Sequence, residues 1–168
     1  MPQTTLALLA LACATLFSVK RDQEIAEGHR TLVRNEVSML ATSVATDQIE
    51  TISAKAFDET TFGDRRTTSS SQLTPTASFG KGNDAGDYND VDDYHLSIDT
   101  VARRAGSGTL LFRVSTRVAY AEPNALFTEA AGVTKVKKAT AYVESITVPL
   151  GSQTVLAQSF VCGSACTW

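Results

Sequence analysis

The first nineteen residues, Met1–Val19, read MPQTTLALLALACATLFSV. From Leu6 to Val19 only Thr15 and Ser18 are polar and nothing is charged; charge begins abruptly at Lys20 and Arg21. As an α-helix at about 1.5 Å per residue the stretch is about 28 Å long, close to the ~30 Å hydrocarbon core of a bilayer. Three explanations compete: a secretory signal peptide, a membrane anchor, and a helix that leaves the bilayer to pack against copies of itself. A signal peptide needs a basic segment before the apolar run, and no Lys or Arg precedes this one. Ala10-Leu11-Ala12-Cys13 has Ala where a lipoprotein cleavage site carries a branched residue. The stretch is therefore expected to be retained, as anchor or as polymer core.

Outward from that stretch, residues 20–57 keep a helical period. Ile25, Leu32, Val33, Val37, Leu40, Val44, Ile49, Ile52 and Phe57 recur mostly at spacings of three, four and seven. That is one face of a helix, and Asp22, Glu24, Glu27, Arg30, Arg34, Glu36, Asp47, Glu50 and Lys55 supply the other. No Pro interrupts the run, and Gly28 is its one weak point. Residues 1 to about 57 thus read as one very long helix, apolar all round at first and one-faced afterwards.

Residues 58–93 carry no periodicity. The run Thr67–Ser78 (TTSSSQLTPTAS) reads as solvated linker or as an O-glycosylation region, with Thr67, Thr68, Ser69, Ser70, Ser71, Thr74 and Thr76 as acceptors. The acidic run that follows offers oxygen ligands at Asp84, Asp87, Asn89, Asp90, Asp92 and Asp93. Calcium takes six to eight oxygens from such loops, so Asp87, Asn89, Asp90, Asp92 and Asp93 are candidate calcium ligands. The Gly and distal Glu of a complete calcium loop are missing, and solvated turns with Asx hydrogen bonds compete with that reading. Calcium is the one cofactor the sequence raises.

From residue 94 the pattern is that of strands. Residues 95–101, 110–120, 136–148 and 154–161 are four candidates, and in the second Phe112, Val114, Thr116 and Val118 alternate with Arg113, Ser115 and Arg117. Gly106-Ser107-Gly108 and Pro149-Leu150-Gly151-Ser152 read as turns. Cys162 and Cys166 (CGSACTW) have no second Cys pair or His nearby, so a small-loop disulfide in an oxidising compartment is expected rather than a zinc site. Cys13 lies in the apolar helix as a small hydrophobe. The expected fold class is α+β: a long N-terminal helix packed by its C-terminal half against a roughly four-stranded antiparallel sheet. The divisions are residues 1–25 (apolar helix), 26–57 (amphipathic helix), 58–93 (irregular) and 94–168 (sheet and Cys loop).

Net charge is −3 over 168 residues, and neither a basic patch nor clustered aromatics mark a nucleic-acid binder. There is no G-x-S-x-G, no Cys with a paired His and no phosphate loop, and His29 and His95 are far apart. An enzyme is not expected.

With these stretches in view, the chain resembles a type IV pilin-like protein. The uncharged start (TTLALLALACATLFSV, residues 4–19) is similar to a mature pilin N-terminus. Ile49–Thr61 (IETISAKAFDETT) resembles the segment where many pilin-like helices stop. Asp87–His95 (DYNDVDDYH) is similar to the stretch before the first strand in minor pilins of the mannose-sensitive haemagglutinin type. The resemblance implies a structural subunit of an extracellular type IV pilus-like filament at the cell surface. It implies passage through the inner membrane, where residues 1–25 are the anchor, contact with pilus assembly machinery, and methylation at a processed terminus. Minor pilin, secretion pseudopilin and a membrane-anchored surface binding protein that does not polymerise are the alternatives. Polymer-core residues are then Leu6, Leu8, Leu9, Leu11, Leu16, Phe17 and Val19, with Met1 and Thr5 at the N-terminal assembly contact. Major pilins place a Glu at position five; here, if Met1 is the first mature residue, Thr5 stands there, and no Pro lies near residue 22. Register between copies would then rest on apolar packing. Burying about ten large apolar side chains at about 1.5–3 kcal/mol each contributes on the order of 20 kcal/mol before ordering costs.

Overall fold

The computed structural model describes residues 2–61, 63, 65–81, 88–106 and 108–168, and of Pro2, Thr4 and Ala10 the backbone alone. The chain divides into two units, Met1–Val37 and Ser38–Trp168. Helix α1, Pro2–Ser53, contributes its residues to both.

In the first unit the Leu- and Ala-rich sequence propagates helix without a break, with Pro2 tolerated in the opening turn, where its missing N–H is no loss. The hydroxyls of Thr15 and Thr31 donate back to the carbonyls of Ala12 and Glu27, each at 2.9 Å, so polar groups on this helix are satisfied locally. Gly28 does not interrupt the helix.

In the second unit Ala41, Val44, Ala45, Ile49 and Ile52 are buried, and their spacings of three and four put them on one face of α1. Ile49 and Ile52 share a core with Val118, Ala139 and Ala141 of the sheet and with Val91 and Tyr94. Gln48 Nε2 donates to Thr116 Oγ1 at 3.2 Å, and Asp47 pairs with Arg103. The small residues Ala139 and Ala141 let the helix approach the sheet closely.

The fold is α+β, with five antiparallel strands: β1 Ile98–Ala105, β2 Gly108–Glu122, β3 Ala125–Glu129, β4 Val136–Ser145 and β5 Thr154–Val161. Spatial order is β1-β2-β4-β5, and β3 pairs with the end of β2. Val118 lies opposite Ala139 and Thr116 opposite Ala141, so the alternating faces of β2 and β4 coincide. Phe112, Val114, Thr116 and Val118 point to the core, as their alternation with Arg113 and Arg117 indicates.

Several boundaries differ from the sequence reading. The helix ends at Ser53 rather than near Phe57, because Ala56 forms a parallel bridge to Asp90: its N–H donates to Asn89 O and its carbonyl accepts from Val91 N. The first strand starts at Ile98 and not at His95, since Leu96 takes a positive φ of 59° that breaks an extended run. The third predicted strand stops at Ser145, whose Oγ accepts from Val148 N and turns the chain. Strand β3 has no counterpart among the four predicted strands. Residues 58–93 hold short 3₁₀ turns at Glu59–Thr61, Ser70–Gln72, Thr76–Ser78 and Asp92–Tyr94. Much of this stretch is buried rather than solvated: Asp58, Thr61, Thr67, Leu73 and Asp90 to Tyr94.

Candidate functional site

Two regions carry chemistry beyond packing. The first is the apolar part of α1. Leu6, Leu8, Leu9, Leu11, Leu16, Phe17 and Val19 are all exposed, from 55% for Val19 to 81% for Phe17. Cys13 is a free, exposed thiol among them. Successive residues of a helix advance by about 100°, so these positions cover about two thirds of its circumference, and Ala7, Ala14 and Ser18 fall on the remaining arc. Thr5 lies in the opening turns; Met1 is outside the described residues. Among the described residues no helix is long and apolar enough to cross a membrane.

The second region is a buried ionic cluster around Lys137 on β4. Lys137 shares the inward parity of Ala139, Ala141 and Val143, and its side chain is wholly buried. Its ammonium has three hydrogens and three acceptors: Phe57 O at 2.7 Å, Asp58 Oδ2 at 2.8 Å, and Asp92 Oδ1. Rings of Phe57, Phe79 and Tyr120 surround Nζ, with centroids at 4.7, 5.3 and 5.6 Å. Tyr120 OH donates to Thr74 O at 2.8 Å, closing that side.

The carboxylates differ in their support. Asp58 accepts from Thr60 N, Thr60 Oγ1, Thr74 N and Thr74 Oγ1 in addition to Lys137. Burial alone would raise its pKa, but the Lys137 charge and these donors outweigh it and hold the carboxyl below its ordinary value. Asp92 goes the other way: burial raises it despite Lys137, and Asp58 adds like-charge repulsion. Asp90 is pushed up to about 8 by burial and by the neighbouring Asp92. Burial, with these carboxylates, also raises Tyr120. Asp93 Oδ2 accepts from Asn89 N at 2.9 Å and Asp90 N at 3.2 Å, and Asp90 Oδ1 accepts from Asp93 N at 3.1 Å, a reciprocal Asx arrangement.

In the described part of the acidic run, Asp90, Asp92 and Asp93 are buried. The cation that Asp92 faces is Lys137, and Asp93 is occupied by backbone amides. Asn89 is half-buried beside them, and Asp87 lies outside the described residues. Among the described residues no group of three or more His, Cys, Asp or Glu side chains is placed to hold a metal ion. His95 Nδ1 accepts from Val118 N at 3.2 Å, a structural role.

The glycosylation candidates also separate. Thr67 is buried, donates to Ala165 O and lies 3.2 Å from Cys166 Sγ, which leaves no room for a glycan. Thr74 is tied to Asp58, and Ser69 caps the turn Ser70–Gln72. Ser70 is half-buried, while Thr68, Ser71 and Thr76 are exposed. Cys162 and Cys166 are joined by a disulfide with Cα atoms 5.7 Å apart, buried beside Leu73. Lys137 and Asp58 were absent from the sequence-derived candidates. The available signal was a lysine falling on the inward parity of an otherwise apolar strand.

Comparison with protein-family models, with curated protein sequences and with solved structures finds no match for this chain.

Proposed function

We propose that this chain is a structural subunit of an extracellular type IV pilus-like filament, polymerising through the N-terminal part of α1. One observation carries the reading: over residues 6–19 large apolar side chains cover about two thirds of the helix circumference, alanines take most of the rest, and the large side chains stay exposed in the isolated chain. An amphipathic helix would hide its stripe against its own domain, whereas one that is apolar all round needs cover from outside. Copies of the same helix provide that cover, and Ala7, Ala12 and Ala14 allow close approach between them. A head-to-tail contact that does not close extends into a fibre. Before assembly the inner membrane is the proposed cover, with assembly machinery extracting the subunit. The sheet unit then forms the outer surface.

The test is negative-stain microscopy of surface material sheared from cells, with mass spectrometry of the fibres. Long uniform fibres composed of this chain are expected, and Leu11→Asp should abolish them while the sheet unit still folds. Short or rare tips containing the chain would favour a minor pilin or pseudopilin. Recovery only from detergent-extracted membranes would favour a non-polymerising anchored protein.

A further inference from the structure

The cluster around Lys137 has the parts needed for a covalent cross-link. We propose that Lys137 Nζ and the Asp92 carboxyl are joined in the mature chain by an intramolecular isopeptide bond that forms once the sheet unit has folded. An amine and a carboxyl condense slowly in water because they meet rarely and because water competes. Here they are hydrogen-bonded, both are buried, and three aromatic rings wall the site. Holding reactants in contact converts a bimolecular step into an intramolecular one.

The surrounding groups supply the proton transfers. Asp58, 2.8 Å from Nζ, keeps its carboxylate form through four donors on Thr60 and Thr74 and is placed to take a proton from the ammonium. Asp90 and Asp92 are buried neighbours, and burial together with like-charge repulsion raises both carboxyls, which favours a proton held on one of them. With that proton on Asp92, its Cγ is an electrophile. The neutral Nζ attacks Cγ and the N–C bond forms. The second amine proton passes to the departing hydroxyl, the C–O bond breaks, and water leaves. Lys137 loses two hydrogens, one relayed through Asp58 to solvent and one to the departing hydroxyl, and Asp92 loses its hydroxyl. No oxidant or activating co-reactant is needed. The bond also removes two buried charges whose desolvation an ion pair offsets only in part.

The intact mass of the folded full chain tests this. We expect a mass lower by one water than the sequence requires, beyond the two hydrogens lost to the Cys162–Cys166 disulfide. Trypsin should not cut after Lys137, and the peptide carrying it should appear joined to the peptide ending at Arg103. Asp92→Asn should lose ammonia in place of water, and Lys137→Arg should restore the full mass. An unshifted wild-type mass with cleavage after Lys137 overturns the proposal, leaving an ion pair only. A branch at Asp58 also overturns it. The wild-type measurement decides even if neither variant folds.

Discussion

The N-terminal part of α1 and the sheet unit reverse the usual placement of side chains. In the helix, leucines and a phenylalanine stand outside. In the sheet unit a lysine and several aspartates lie inside. The difference is where each finds its partners. Lys137 has its three acceptors within the same chain, so its burial is tolerable. Leu6 to Val19 find no such cover among the described residues, and their exposure directs attention to something external. Buried polarity here organises the fold, and exposed apolarity is what the proposed association rests on.

Three measurements sharpen that contrast. The largest effect is expected from Lys137→Ala, which leaves Asp58 buried without its cation and Asp92 without its partner, whether that partner is ionic or covalent. Breaking such a cluster from one side costs about 3–5 kcal/mol. Urea unfolding of the full chain in mild detergent, followed by the single Trp168, reads it; a loss under about 1 kcal/mol, the ceiling typical of exposed pairs, would mean the cluster is not structural. Next, Ile52→Ala removes a wholly buried side chain between helix and sheet and should cost about 2–4 kcal/mol in the same assay. An unchanged midpoint would detach α1 from the core.

The smallest effect concerns pH. Asp90 has a folded pKa of about 8, above its unfolded value, so the folded state binds the extra proton between the two. Stability from this group is therefore full below the unfolded pKa and declines as pH rises toward 8. Asp58, held low, works oppositely: its contribution is present above the unfolded pKa and is lost on acidification through its lower folded value. Asp90→Asn keeps an oxygen for the Asp93 amide and should flatten the decline from pH 4 to 8. An identical slope in the variant would remove Asp90 as its source.

Much of the architecture was legible because burial imposes a period. Ile49 and Ile52 announced a core-facing helix, and Phe112, Val114, Thr116 and Val118 announced a strand with one buried face. Strand β3 was illegible for the same reason: all five of its residues are exposed, so no alternation marks it. The helix end was misplaced because Ala56 leaves to pair with Asp90, a partner far along the chain. The candidate cluster was hidden similarly. Asp90, Asp92 and Asp93 read as a loop facing water or calcium until Lys137, 45 residues beyond Asp92, is placed opposite them.

The bridge between Thr67 and Cys166 has a further consequence. The connection from α1 to β1 is anchored partway, at Thr67 to the disulfide loop, at Thr74 to Asp58, and at Val91 to Ala56. A chain pinned at intervals closes several small loops in place of one large one, and each added pin has less entropy left to remove. Reducing Cys162–Cys166 would loosen the first of these pins. Sensitivity to a protease should then rise between Asp58 and Thr74, well away in sequence from the bond that was cut.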